Sequence, residues 1–205
     1  MFASIVAIVL GYLLGSISFS ILFALWLRKI DIRDHGSGNA GATNTLRVLG
    51  KGPALCVFLL DFAKGSTAVG IGYWLGDGNN WVPVLCGLAA IAGHNWPVFF
   101  RFKGGKGIAT TIGALAVWAI IPTLIAGITA ILIIALTRYV SLGSLVLAVL
   151  LPVLIAAFGN DSPFIWGASV VGVLAILRHR KNIVKLLNGT ENKLGNGKKG
   201  VRHGA

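Results

Sequence analysis

Thr111–Thr137 reads TIGALAVWAIIPTLIAGITAILIIALT. The segment carries no charge and is too long for one bilayer crossing, which takes about 20 apolar residues. Pro122 lies near its middle. Proline removes a backbone N–H and clashes with the preceding turn, so a continuous helix is expected to stop there. If the segment crosses once, Arg138 and the basic C-terminal stretch both face the side opposite the basic loops that precede it. If it turns near Pro122, every loop Lys and Arg falls on one side, as the positive-inside rule requires. The second reading predicts two short helices of about 13 to 15 residues, near 20 Å each, against a hydrocarbon core of about 30 Å.

Working outward, Phe2–Leu27, Gly52–Leu75 and Trp81–Phe100 precede this pair, and Ser141–Phe158 and Pro163–Leu177 follow it. The predicted fold is all-α: an integral membrane bundle of about seven transmembrane helices, N-terminus outside and C-terminus cytoplasmic. The turns Gly76–Asn80 and Gly159–Ser162 hold no Lys or Arg, only Asp77 and Asp161. No Lys or Arg precedes Arg28, so the first stretch lacks the basic start of a secretory signal and is read as a retained span. Residues 1–194 form one transmembrane domain, and 195–205 (GNGKKGVRHGA) a short basic polar tail.

Composition agrees. Of 205 residues 56% are hydrophobic and 12% charged, with mean hydropathy +0.83. A soluble domain of this size has no way to bury that much apolar surface. The formal charge of +12 would suggest nucleic acid in a soluble protein. Here it marks the cytoplasmic face and meets anionic headgroups, so membrane lipids are the expected contact and nucleic acid is not. Cys56 and Cys86 sit in apolar runs with no disulfide or metal spacing.

Three polar, glycine-studded stretches interrupt the apolar chain: Asp31–Asn44 (DIRDHGSGNAGATN), Arg101–Thr111 (RFKGGKGIATT) and Arg178–Asn192 (RHRKNIVKLLNGTEN). All face the cytoplasm in the predicted topology. In the first, Ser37, Gly38 and Asn39 form a glycine-flanked turn suited to a backbone anion nest, with Arg47 following as a bidentate phosphate grip. A plain turn with a capping serine fits the same letters. In the second, Lys103 and Lys106 flank two glycines just before a helix start, the physics of a phosphate loop without the Walker sequence. Headgroup anchoring explains Lys103 but not the glycines. In the third, His179 and Asn182 share a helix face, while Arg178, Arg180, Lys181 and Lys185 fit snorkelling cations. Asp61 and Lys64, three apart inside a span, fit either an ion pair holding the bundle or a functional cavity. Ser141 and Ser144 start a span, where Ser144 either caps the helix or faces the pocket.

The chain has no H-x-x-x-x-D pair, no carboxylate cluster for a metal and no G-x-S-x-G elbow. An organic-phosphate transporter is the competing class, but its polar groups belong at the midplane between repeated halves. A lipid-phosphate phosphatase would show a Lys/Arg–His signature that is absent here.

With these motifs in view, the chain resembles the bacterial acyl-phosphate:glycerol-3-phosphate acyltransferase family from Gly15 to Glu191. The carriers are DIRDHGSGNAGATN with Arg47, LLDFAKG (59–65), GHNWPVFFRFKGGKGIAT (93–110), RYVSLGS (138–144) and RHRKN (178–182). The resemblance implies seven helices, a cytoplasmic active site and phospholipid biosynthesis in a bacterial inner membrane. It implies transfer of a fatty acyl chain from acyl phosphate to position 1 of glycerol 3-phosphate. The products are lysophosphatidate and inorganic phosphate; no cofactor or metal is called for. An acyl-phosphate-producing enzyme is implied upstream as a functional partner. Ser37 and its neighbours Gly38 and Asn39, with Ser144 and Lys106, resemble the donor-phosphate pocket. Arg47, Lys106, His179 and Asn182 resemble the glycerol 3-phosphate group, with Asn44 added. Lys106, Arg47 and His179 are the expected catalytic residues. Two positions depart from the family pattern: GSISFS lacks the proline often found after GSI, and Lys181 stands where a glutamate is usual.

Overall fold

The computed structural model describes residues 1–195; nearly all of the expected tail lies outside the described residues. The described residues form helices and loops, with no strand. In chain order the helices are α1 (Phe2–Gly15), α2 (Phe19–Arg28), α3 (Ala42–Val48), α4 (Lys51–Leu75), α5 (Trp81–Asn95), α6 (Ile108–Trp118), α7 (Ile120–Thr137), α8 (Val140–Ala157), α9 (Ser162–Arg178) and α10 (Arg180–Leu187). Five segments are long and apolar enough to cross a membrane: Phe2–Arg28, Lys51–Leu75, Trp81–Phe100, Ile120–Thr137 and Val140–Ala157. A sixth is counted if α9 and α10, bent by 60°, are taken together, and α6 is a shorter apolar helix. The protein is an integral membrane helical bundle.

Helix contact relies on small residues, as it does where lipid removes the hydrophobic drive for association. On α1, Gly11 and Gly15 leave no room for a Cβ against the backbone of Cys86 and Ala90 on α5. Gly65 of α4 and Gly113 of α6 do the same reciprocally, against Thr110 and Phe62. α6 thus packs against α4, while α7 packs against α8 and α8 against α9.

Two helix breaks differ from the sequence expectation. The first span is not continuous: Ser16–Ser18 separates α1 from α2. The break frees carbonyls that lipid has no means to satisfy. Lys64 Nζ, on α4, donates to Gly15 O at 2.9 Å and Ile17 O at 2.7 Å, and pairs with Asp61 at 3.0 Å. The intramembrane pair therefore holds the interrupted first span. The second break falls at Ala119 (φ −151°, ψ 80°), not at Pro122. Pro122 is the third residue of α7, where its missing N–H has no intrahelical acceptor to lose. The two helices accordingly measure 11 and 18 residues rather than a matched pair.

Candidate active site

The three polar stretches meet at one end of the bundle and are fastened to one another there. Arg33 pairs with Asp31 at 2.6 Å, holding that carboxyl below the usual carboxylate range, and donates onward to Phe100 O (2.9 Å) and Lys103 O (3.3 Å). Arg178, at the end of α9, donates to Gly105 O at 2.6 and 3.2 Å and to Gly104 O at 3.4 Å, while its guanidinium lies 5.4 Å from the Trp96 ring centre. Gly105 N–H donates to His94 O, and a Cβ there would strike the His94 ring and Ala40 O. His94 Nδ1 lies 3.5 Å from Asp61 Oδ1. The buried Lys64–Asp61–His94 row thus runs from the first-span break to the Lys106 loop.

These loops wall a cavity of about 1050 Å³. All nine residues singled out from sequence line it: Ser37, Gly38, Asn39, Asn44, Arg47, Lys106, Ser144, His179 and Asn182. Their hydrogen bonds sort them. Asn44 is fully engaged with its own loop: its amide donates to Ile32 O and His35 O, and its oxygen accepts from Ser37 N–H at 2.7 Å. Gly38 N–H donates to His35 O. The anion nest expected around Ser37 therefore lacks those two N–H groups, because the Asn44 side chain and the turn itself consume them. Ser37 and Asn39 still line the cavity from this loop, and Thr43 and Arg47 line it from α3. Ser144 donates its proton to Val140 O at 2.9 Å and can only accept from a ligand.

The second loop keeps its donors. Gly107, at φ +78°, is the N-cap of α6 and makes no side-chain cap; the following residues Ile108 and Ala109 also line the cavity. The first N–H groups of a helix have no intrahelical partner, so these point a positive dipole end at the cavity. Lys106 Nζ donates to Asn182 Oδ1, Asn182 Nδ2 donates to Glu191 Oε1 at 2.8 Å, and Ser141 Oγ donates to the same oxygen at 3.1 Å. Burial pulls the Lys106 ammonium down to about 8, helped by Arg178 and Arg47 and opposed by Glu191. His179 is 2% exposed and its Nδ1–H donates to Ala175 O at 2.8 Å, which leaves Nε2 as the acceptor nitrogen. Burial, then the Lys106 charge, push its imidazolium down to about 4, so the ring is neutral at ordinary pH.

Sequence reasoning passed over Glu191 and misread Arg178. Glu191 is the one glutamate in a chain of net charge +12, set in its most basic stretch, and that isolation is a readable signal. Arg178 looked like a headgroup anchor because its carbonyl partners lie more than seventy residues earlier. Past the polar end, the same cavity continues as an apolar groove between α6 and α7, with Ile112, Ala116, Leu124, Ile128, Ile131 and Ile134 on its walls. Leu124, Ile128 and Ile131 are more than half exposed, so the groove opens sideways.

A basic, hydrogen-bonding chamber joined to a lipid-facing apolar groove fits a ligand that is phosphate at one end and hydrocarbon at the other. Comparison with known proteins points the same way. The family model described as "Glycerol-3-phosphate acyltransferase" matches residues 5–189. A glycerol-3-phosphate acyltransferase of Shouchella clausii is 54% identical over 201 residues, spanning 95% of this chain and 98% of its own. That of Halalkalibacterium halodurans is 53% identical over 190 residues, spanning 90% and 92%. Among solved structures, the crystal structure of PlsY (YgiH), an integral membrane glycerol 3-phosphate acyltransferase, superposes in its glycerol 3-phosphate form with TM-score 0.88 at 39% identity, covering 94% of this chain and 96% of that one. Its lysophosphatidic acid form gives 0.86 at 38% identity, with 94% and 95% covered. This chain belongs to the glycerol-3-phosphate acyltransferase family.

Proposed function

We propose that this protein transfers a fatty acyl chain from acyl phosphate to the 1-hydroxyl of glycerol 3-phosphate, releasing lysophosphatidate and inorganic phosphate. The observation that carries the reading is the single cavity that is basic at one end and apolar along α6 and α7. The acyl chain lies in the groove and enters from the bilayer. Both phosphates lie at the polar end, where Arg47, Lys106 and the α6 N-terminus offset their mutual repulsion. Ser37, Asn39 and Ser144 border the donor phosphate, with Gly38 keeping the turn open; Arg47, Lys106, His179 and Asn182 hold glycerol 3-phosphate. Asn44 acts by shaping the Ser37 loop.

Acyl phosphate is a mixed anhydride with a good leaving group, so a covalent enzyme intermediate is unnecessary. The glycerol 1-oxygen forms an ester bond to the acyl carbon. The bond from that carbon to the phosphate oxygen breaks, its electron pair leaving on phosphate, and the hydroxyl proton ends on the departing phosphate. His179, a weak base by virtue of burial, accepts the hydroxyl's hydrogen bond at Nε2 and aims the attack. Under this reading His179→Gln retains turnover with a raised KM for glycerol 3-phosphate.

The fuller topology belongs to the same proposal: seven crossings with α6 counted, N-terminus outside, and the active site on the cytoplasmic face of a bacterial inner membrane. Residues 1–194 act as one acyltransferase domain in that arrangement. An acyl-phosphate-producing enzyme supplies the donor. The test is purified protein with labelled glycerol 3-phosphate and either palmitoyl phosphate or palmitoyl-CoA. Labelled lysophosphatidate from the phosphate donor alone supports the reading; product from palmitoyl-CoA alone, or from neither donor, overturns it.

A further inference from the structure

Most interior glycines of this bundle have an evident reason to be glycine. A Cβ at Gly113 or Gly143 would strike a neighbouring helix, Phe62 O in one case and Ala130 O in the other. Gly127 is different. It lies in the middle of α7, where glycine costs stability relative to alanine. A Cβ added there would meet nothing within 4 Å. No close helix contact requires its smallness, and the space beside it is the apolar groove, which Gly127 lines.

Position along the helix gives that space a length scale. The groove wall on α7 runs from Ile134, near the polar chamber, to Ile120 at the other end. At 1.5 Å per residue this is about 21 Å, and Gly127 stands about 10 Å from Ile134. Ile120, Leu124, Ile128 and Ile131 each offer a large side chain to the groove or the bilayer beside it. Thr123 and Ala130 also line it, but Gly127, at the midpoint of the run, is the lining residue of α7 with no side chain. A short acyl chain ends before that point, and a long one must pass it.

Resting on the reading that the groove holds the acyl chain, we infer that Gly127 sets the acyl-length specificity: the absence of a side chain there admits chains that extend past mid-groove toward Ile120. A side chain at this position projects into open groove rather than into protein. It shortens the groove without disturbing the phosphate chamber.

The experiment compares the wild type with Gly127→Leu, using palmitoyl phosphate and octanoyl phosphate as competing donors and glycerol 3-phosphate as acceptor. Gly70→Leu is the control, because Gly70 is equally open but faces away from the cavity on α4. The palmitoyl-to-octanoyl ratio of kcat/KM is expected to fall about tenfold or more in Gly127→Leu, as for a pocket closed to the longer substrate. The KM for glycerol 3-phosphate and the ratio in Gly70→Leu stay at wild-type values. Gly127→Ala, which adds one methyl and suits a helix, keeps the comparison alive if the leucine variant folds poorly; its ratio moves the same way by less. An unchanged ratio in well-folded Gly127→Leu or Gly127→Ala overturns the inference. If the wild type accepts acyl-CoA and not acyl phosphate, the donor reading fails instead. The same chain-length ratio, measured with palmitoyl-CoA and octanoyl-CoA, then decides the role of Gly127 by the same criteria.

Discussion

Lys64 and Lys106 are both largely buried lysines near glycines, and the structure uses them in opposite ways. Lys64 spends its ammonium on the protein: it donates to Gly15 O and Ile17 O and ion-pairs with the Asp61 carboxylate. Among the described residues Lys106 has one protein acceptor, Asn182 Oδ1, and it lines a cavity. A buried cation whose donors are all satisfied by the chain holds the fold. One with donors left over awaits a ligand, since burial of an unsatisfied charge is otherwise costly. The difference lies in the count of partners, not in the burial.

The largest effect expected from breaking this contrast is at Lys64. Lys64→Met removes the cap on the first-span break and leaves Asp61 charged without its partner, a loss of about 3–5 kcal/mol for a broken buried pair. Denaturant titration in detergent should show it, and adding Asp61→Leu should recover part of the loss. A Lys64→Met protein as stable as the wild type would mean that the first span holds its break unaided.

At Lys106 the loss falls on catalysis. Lys106→Ala should lower kcat/KM by about 10²–10³, the range for a single transition-state electrostatic contact, while the thermal midpoint stays near wild type. Equal losses of stability in both lysine variants would erase the distinction.

Sequence made part of this contrast legible. Asp61 and Lys64 three apart in an apolar run suggested a pair, which the structure forms, and the glycines beside Lys106 suggested a loop at a pocket, where Lys106 lies. Local spacing carries such information. The break at Ser16–Ser18 was invisible because its stabilising donor lies on another helix, at Lys64. Pro122 marked the break to within three residues but not its sense, since here the proline begins the second helix rather than ending the first. Asn44 reads as a ligand in a list of polar residues, and only its three bonds to the loop reveal a structural part.

The pH dependence sharpens the contrast through Lys106 alone. Its free-enzyme value of about 8 lies below that of an ordinary lysine, so rising pH removes the charge proposed to bind phosphate as it passes about 8. kcat/KM should therefore fall on the alkaline side of about pH 8. Lys106→Arg, charged throughout, should flatten that limb whatever its effect on absolute rate. His179, neutral above about 4, contributes no limb near neutrality. For stability the sign is opposite: between about 8 and the unfolded value near 10.5 the unfolded chain binds the extra proton, so this group alone makes folding more favourable as pH rises. An alkaline limb that persists in Lys106→Arg would assign it to another group.

Arg178 stands between the two lysines, and its substitution carries the smallest effect. It uses the Lys64 device, a cation satisfying backbone carbonyls, but applies it to the loop that carries Lys106. The guanidinium reaches Gly104 O and Gly105 O together and lies over Trp96, a fork and stack that an ammonium has no means to copy. Arg178→Lys keeps the charge and gives up about one hydrogen bond, roughly 1 kcal/mol or fivefold. If the clamp serves the site, the loss appears in kcat/KM with little change in the thermal midpoint, because the loop loosens while the bundle stays packed. If it serves the fold, the midpoint drops and the surviving protein turns over normally. The first outcome places the boundary between fold and site at Arg178 itself; the second moves it outward to Lys106.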